Sequence, residues 1–231
     1  MVEDGRKISI VVPVRKGSQR VLEKNTRDFS RIKGGLTFIK ISQLVQVRNI
    51  DKIIISTDDD NVEEIAKSFN DERIIVDNRP RYLASSKTTT EELVDYMFSL
   101  VPTGIVVWTH TTSPFVDKNL YENAIGKYLE NLKEYDSLVT VTKLQKFIWS
   151  KDGPVNYDRS KEKWPQTQTI DSLYEINSGI FILDKNTYSK FKDRVGKKPF
   201  FYIFNWKQSF DIDWKEDFEI AEVLWSKYGK I

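Results

Sequence analysis

The chain of 231 residues contains no cysteine, and that absence alone removes disulfides, thiolate nucleophiles and zinc–sulfur centres. Histidine occurs once, as His110, so metal sites built on several imidazoles are excluded as well. No apolar run approaches the ~20 residues that a bilayer-spanning helix requires. Charge of one sign is not in excess, with 36 basic and 34 acidic residues leaving a net +2. A general nucleic-acid or membrane-surface binder needs a one-sided basic surplus, so neither partner is expected. The opening Met-Val-Glu-Asp-Gly-Arg-Lys is polar and leads straight into an apolar stretch, unlike a secretory leader, and the expected location is cytoplasmic. What is present is 39% hydrophobic and 13% aromatic residues, enough for a substantial core, so a single domain over 1–231 is expected.

Short apolar runs recur along the chain at 8–14, 53–57, 73–76, 105–108, 137–141 and 180–183. Several are apolar at consecutive positions, the pattern of strands buried on both faces. Between them, 36–49, 61–69, 90–101 and 118–132 carry apolar residues near helical spacing, and 215–228 repeats that spacing at the end. Strands alternating with helices predict βαβ units and a mostly parallel sheet. Residues 143–177 break the rhythm, with Asp152-Gly-Pro154, Trp164-Pro165 and no long apolar run. This stretch is either a disordered excursion or an arm that packs on another subunit. Trp149, Tyr157 and Trp164 favour the arm, because disordered segments are poor in aromatics.

Chemistry concentrates at two places. The first apolar run empties into a loop holding Arg15, Lys16, Gly17, Ser18, Arg20, Lys24 and Asn25. Exposed backbone N–H groups beside fixed cations suit a polyphosphate, although a solvated basic loop would have the same composition. Far along the chain stands Asp211-Ile-Asp213. In an extended segment residues i and i+2 point the same way, so both carboxylates can face one Mg²⁺. The plainer alternative is a solvated helix-capping pair. Cradle and carboxylates together point to an enzyme that handles nucleotides.

The motif Arg15-x-Gly17-Ser18-x-Arg20-x-x-x-Lys24-Asn25 is neither a Walker loop nor a Rossmann fingerprint. It resembles the signature that CMP-sugar synthetases, in particular acylneuraminate cytidylyltransferases, carry straight after their first strand. The resemblance extends over almost the whole chain, through Ile55-Ser-Thr-Asp-Asp59, Arg79-Pro-Arg-Tyr-Leu-Ala-Ser85 with Thr88-Thr-Thr90, His110-Thr-Thr-Ser-Pro114, Asn177-Ser-Gly-Ile-Phe-Ile182 and Asp211-Ile-Asp213. It implies a three-layer α/β/α, Rossmann-like nucleotidyltransferase fold with 143–177 as a protruding dimerisation arm, and a homodimer. It implies coupling of CTP to a 3-deoxy-ulosonic, sialic-acid-like sugar acid, giving the CMP-sugar and pyrophosphate. Arg15, Gly17, Ser18, Arg20, Lys24 and Asn25 would then hold the triphosphate, with Arg15 and Lys24 offsetting charge during transfer. Arg79, Thr88 and Thr90 would read cytosine, and Asp211 and Asp213 would bind Mg²⁺. His110, Thr112 and Asn177 would face the acceptor.

One departure concerns that acceptor. Where the family has an arginine shortly before the Asn177 position, this chain has Leu173-Tyr-Glu-Ile-Asn177, and Glu175 would repel a carboxylate. The missing cation is expected from Lys146 or Lys151 on the arm. His110, standing where the family has glutamine, is expected to donate a hydrogen bond and to add charge below about 6.5. Ordinary N-acetylneuraminic acid is therefore expected to be a poor acceptor, and a modified or shorter relative a better one. Two alternatives stay open at this point: a nucleotide-sugar-dependent glycosyltransferase using Asp211-x-Asp213, and a non-catalytic nucleotide-binding subunit.

Overall fold

A run such as Ile-Ser-Ile-Val-Val-Pro-Val gains most when both of its faces are covered, and the strands of this type occupy the middle of one sheet. The structure, a computed structural model, describes residues 5–85 and 87–231. In chain order the first half comprises β1 (Ile8–Val14), α1 (Gly35–Leu44), β2 (Lys52–Thr57), α2 (Asp60–Ser68), β3 (Ile74–Asn78), α3 (Thr90–Ser99), β4 (Ile105–Thr109) and α4 (Lys118–Glu130). The second half comprises β5 (Ser137–Leu144), the two-residue strands β6 (Trp149–Ser150) and β7 (Gly153–Pro154), β8 (Leu173–Asp184), α5 (Lys185–Phe191), β9 (Pro199–Phe204) and α6 (Lys215–Tyr228).

Seven strands form the main sheet in the order β3-β2-β1-β4-β8-β5-β9. Only β8 runs against the others, pairing antiparallel with β4 and β5. The expected α/β architecture and mostly parallel sheet are therefore present. Alternate residues of one strand serve opposite layers. Ile10, Val12, Ile53, Ile55 and Val107 pack with Ile41, Leu44, Val62, Tyr121 and Tyr128 from α1, α2 and α4. Val11, Ile54, Val106, Trp108 and Phe181 pack on the other face with Val94, Met97 and Phe98 of α3 and Tyr188 of α5. A third cluster, including Phe29, Leu36, Ile212, Phe218 and Trp225, seats α6.

The chain leaves β1 outward through β2 and β3, then returns to the other side of β1 with β4. That reversal opens a crevice at the C-terminal ends of β1 and β4, the place where open α/β sheets bind ligands. Buried side chains fix the loop after β4. Lys40 of α1 is wholly buried and donates to the carbonyls of Ser113 and Val116 and to the Tyr121 hydroxyl, at 2.9, 3.4 and 2.9 Å. Burial pushes its pKa down to about 7. Gln43 donates to the Pro114 carbonyl at 2.6 Å.

The second half holds elements that periodicity does not announce. α5 and β9 were not expected, and β8 begins at Leu173 rather than near 180. Its first residues continue the pairing with β5, through Thr142↔Glu175, Lys143↔Tyr174 and Leu144↔Leu173. The stretch 143–177 is thus rooted in two paired strands and carries the small β6–β7 ladder. Asn156 holds its base, donating to the carbonyls of Lys146 and Asp171 and accepting from the Ile148 N–H. Phe147 packs edge-on against Tyr157 and Trp164. The stretch is folded within this chain rather than a disordered excursion.

Candidate active site

Segments following the C-terminal ends of β1, β3 and β4 line a cleft of about 490 Å³ whose walls include Arg15, Ser18, Arg20, Lys24, Asn25, Arg79 and His110. Gly17 sits at φ +73°, a backbone region that other residues adopt only with strain. The neighbouring Lys16 N–H donates to Asp58 at 2.7 Å, tying the loop to the end of β2, while Asp59 caps α2 through the Asn61 N–H. Asn25 joins three elements. Its amide donates to the Arg15 carbonyl at 3.4 Å, its Oδ1 accepts from the Thr111 hydroxyl at 2.9 Å, and its carbonyl takes the Thr37 N–H and hydroxyl from α1. Gly35 permits that approach, because a Cβ there would lie 2.0 Å from the Arg27 carbonyl oxygen.

The two ends of the chain meet here. Arg20 pairs with Asp213 at 2.8 Å and lies over the Trp214 ring. Lys24 donates to the Ile212 carbonyl at 2.6 Å and stands 3.8 Å from Asp213. Burial pushes the Lys24 pKa down, against the opposing pull of Asp213 and Asp211. Ile212 is buried in the third core cluster, and its N–H bonds the Thr112 carbonyl at 2.9 Å. With Ile212 in that core, Asp211 and Asp213 on either side of it both lie close enough to act on the Lys24 ammonium. The capping of α6 falls to Asp217, which accepts the N–H groups of Asp213 and Trp214 at 3.0 and 2.7 Å. The acid pair is thus free of the helix-capping task that the plainer reading gave it.

Asp211 is the less satisfied of the two. Its Oδ1 is buried with no hydrogen-bond partner. Burial raises its pKa, the Thr112 hydroxyl and Lys24 work against that rise, and Asp213 adds to it. An unpartnered buried carboxylate oxygen beside a second carboxylate is a donor set that suits a hard cation. Among the described residues no group of three or more His, Cys, Asp or Glu side chains converges on a metal position. Further ligands would have to come from phosphate oxygens and water, the usual situation for Mg²⁺.

The remaining expected residues divide. Arg79 is buried and lines the cleft, donating through Nε and Nη2 to the Ser56 hydroxyl and carbonyl. Thr88 and Thr90 do not line it. The Thr88 hydroxyl donates to the Tyr82 carbonyl at 2.7 Å, and Thr90 is the exposed first residue of α3. Thr89 caps that helix in a reciprocal box with Glu92. Thr112 faces the cleft and also holds Asp211. Asn177 lies outside the cleft, donating to the Thr142 hydroxyl at 3.2 Å and accepting from the Gly179 N–H where the β5–β8 register shifts. Lys146 and Lys151 are exposed on the arm and do not reach the cleft within one chain.

His110 requires a correction. Its Nε2 accepts from Trp108 Nε1 at 2.9 Å, which places the ring proton on Nδ1. Burial, then the nearby charges of Arg194, Lys40 and Lys24, push its pKa down to about 3. The ring is neutral near pH 6, so its Nδ1–H is available as a donor but it does not add the charge expected of it.

Fold and cleft together define an α/β protein with a cation-lined cleft at the sheet's switch point. Residues 9–228 match the cytidylyltransferase family model, and the chain belongs to that family. It is 28% identical to the N-acylneuraminate cytidylyltransferase of Escherichia coli O18:K1:H7 (strain RS218 / NMEC) over 97% of this chain and 53% of that protein. The chain thus spans about half the length of that relative. It is 22% identical to the pseudaminic acid cytidylyltransferase of Campylobacter jejuni serotype O:23/36 (strain 81-176), covering 93% of this chain and 94% of the other. Among solved structures, 4-diphosphocytidyl-2C-methyl-D-erythritol synthase from Anaerococcus prevotii superposes with a TM-score of 0.70 at 18% identity, covering 97% of this chain and 100% of that one. A CMP:2-keto-3-deoxy-manno-octonic acid synthetase complexed with CTP gives 0.66 at 16%, covering 96% and 99%. At these identities the structural likeness is one of fold.

Proposed function

We propose that this chain couples CTP to a 3-deoxy-ulosonic, sialic-acid-like sugar acid, releasing pyrophosphate. The observation that carries this reading is the meeting of the Gly17 loop, Lys24 and the Asp211–Asp213 pair at the switch point of a cytidylyltransferase-family fold. The sugar's anomeric hydroxyl attacks the α-phosphorus. An O–P bond to the sugar forms, the bond from the α-phosphorus to the bridging oxygen breaks, pyrophosphate leaves, and the hydroxyl proton passes to solvent.

Such a transfer asks little covalent chemistry of the protein and much positioning and charge compensation. Arg15, Arg20 and Lys24 hold the triphosphate and the departing pyrophosphate, helped by loop N–H groups around Gly17 and Ser18. The Arg20–Asp213 pair is 45% and 47% exposed, so it contributes little and opens readily for a ligand. Arg79 presents its guanidinium to the base side of the cleft. Asp211 and Asp213 would hold Mg²⁺, which when bound offsets phosphate charge and lowers the pKa of the attacking hydroxyl. Thr112 keeps Asp211 in place, and His110 offers its Nδ1–H to an acceptor oxygen.

Incubation with CTP, Mg²⁺ and a panel of sugar acids, reading pyrophosphate, tests this directly. The expected result is release with CTP well above that with UTP, ATP or GTP. Equal turnover of CTP and ATP, or none with any sugar acid, overturns it. The glycosyltransferase alternative does not accord with the family, and the non-catalytic alternative is separated by the same assay.

The reading includes a homodimer. Tyr174 and Ile176 of β8 and Phe201 and Ile203 of β9 are 42 to 52% exposed. They share one sheet face, since Val141 pairs with both Ile176 and Ile203. A second copy covering this face and the arm supplies the burial that such residues lack. No helix among the described residues is long and apolar enough to cross a membrane. A cytoplasmic location goes with the reading, because CTP is a cytoplasmic metabolite.

A further inference from the structure

The loop after β4 grips the cleft through consecutive residues. The Thr111 hydroxyl donates to Asn25 Oδ1 at 2.9 Å, and Asn25 in turn holds the Arg15 carbonyl. The Thr112 carbonyl takes the Ile212 N–H at 2.9 Å, while its hydroxyl bonds Asp211. Ser113 follows directly and opens a turn, its carbonyl accepting the Val116 N–H at 3.3 Å. The same carbonyl accepts from Lys40 at 2.9 Å.

Lys40 reaches this turn from α1 and is wholly enclosed. Gln43, three residues on and so on the same helical face, donates to the Pro114 carbonyl beside it. The protons around Lys40 can be counted. The single Thr109 hydroxyl proton goes to the Gly179 carbonyl at 2.8 Å. The Tyr121 hydroxyl, 2.7 Å from Thr109, must therefore donate to that oxygen. This leaves the Tyr121 oxygen to accept from Lys40 at 2.9 Å. Ser113 and Val116 present carbonyls, which only accept. Lys40 thus needs three N–H donors, which an ammonium has and a neutral amine lacks. Loss of one proton would turn a lone pair towards one of the three acceptors.

Two influences on that charge oppose each other. Burial pushes the Lys40 pKa down to about 7, and Asp117 at the start of α4 draws it up. Lys230 lies 4.0 Å from the same carboxylate. The other titratable groups beside Lys40 keep one state near neutrality. Burial raises the Tyr121 hydroxyl, and His110 stays neutral down to about pH 3. We propose that the Lys40 ammonium is a positioning residue for the transfer, clamping the 113–116 turn so that Thr112 is set against Asp211. The role rests on the reading above, in which Asp211 holds the metal. Its consequence is a pH dependence of turnover that originates in the core and not in the cleft.

Lysine-selective NMR of the free protein reads the charge directly. One amine should titrate near pH 7, against about 10.4 for exposed lysines. Tyr121→Phe removes one acceptor at nearly constant volume, and should move that midpoint down by about one pH unit. Lys40→Met removes the charge at similar volume. With CTP, Mg²⁺ and the sugar acid that wild type uses best, its kcat should fall about 10-fold at about pH 6. The Mg²⁺ concentration for half-maximal turnover should rise several-fold, with CTP KM within about threefold. The ratio of wild-type to variant kcat should then shrink as pH rises to about 8.5, because wild type loses the proton that the variant lacks. Stability should change in the other direction. The folded value lies below the unfolded one, so above about pH 7 the unfolded chain binds a proton that the folded one has released, and wild type gains on Lys40→Met in urea unfolding as pH rises. A lysine with a merely structural role would make activity follow stability. A kcat ratio that is flat with pH, or an amine that titrates near its ordinary value, overturns the proposal. If Lys40→Met does not fold, Tyr121→Phe decides: its turnover profile must shift with its amine titration, and an unshifted profile overturns the proposal equally. If wild type releases no pyrophosphate with any sugar acid, the underlying reading fails and takes the positioning role with it. If wild type turns over normally and the ratio is flat, the positioning role alone falls.

Discussion

At the scale of single residues, two buried titratable groups make opposite demands. Asp211 has its pKa raised by burial, so the folded state holds that proton more tightly than the unfolded chain does. Its stabilising contribution is present at low pH and is lost as pH rises through the folded value. At neutral pH the ionised carboxylate is therefore a destabilising feature unless a cation meets it. Asp211→Asn should raise the melting temperature of the metal-free protein at pH 7 while cutting turnover about 10³-fold or more. Mg²⁺ added with CTP should stabilise the wild type and not the variant. A variant that is both active and less stable would contradict the metal role. His110 behaves in the reverse sense. Its folded pKa of about 3 lies below the ordinary value, so the unfolded chain takes up a proton that the folded one refuses. Stability is full above about pH 6.5 and falls towards pH 3, with a slope of up to about 1.4 kcal/mol per pH unit. His110→Gln should gain on the wild type as pH falls through that window, measured by urea unfolding at several pH values. Parallel curves would show that the imidazole is not held neutral.

At the scale of elements, the sequence was most legible where one pattern sufficed. Consecutive apolar residues marked β1, β2 and β4, and helical spacing marked α2, α3, α4 and α6. What it concealed depends on distant partners. β8 starts early because β5 offers a ladder to Leu173, Tyr174 and Glu175, and the bulge that buries Asn177 exists only because two strands change register there. Arg194 packs over Trp108 and Phe181, which are remote in the chain. The three threonines before α3 show how a local motif can be divided. Thr89 with Glu92 forms the cap, whereas Thr90 only begins the helix. Thr89→Ala should cost about 1 kcal/mol of stability with CTP KM unchanged, and Thr90→Ala much less. Thermal melts of the two variants check the division, and an equal loss in both would show that the cap is not at Thr89.

At the scale of the whole molecule, the open question for physical chemistry is what covers the far edge of the sheet. β9 is an edge strand, and such edges ordinarily carry charge or a covering element to prevent uncontrolled pairing. Here the face beside that edge presents aromatic and branched side chains, with the Tyr174 and Phe201 rings 5.3 Å apart. The arm exposes Trp149 and Trp164, 47% and 65% accessible. One isologous partner could cover both, because the face and the arm spring from the same pair of strands. The expected mass in solution is therefore twice the chain's 27.1 kDa at micromolar concentration. Ile176→Glu combined with Ile203→Glu places like charges at positions facing Val141 from either side, and each copy would present them to the other. Light scattering should then report the single-chain mass, with far-ultraviolet circular dichroism unchanged, since neither residue belongs to the buried core. Both side chains are about half exposed in one chain, so their replacement should cost the isolated fold little. A wild type that is monomeric at that concentration, or a doubly charged variant that remains paired, would show that this face is not where two copies meet.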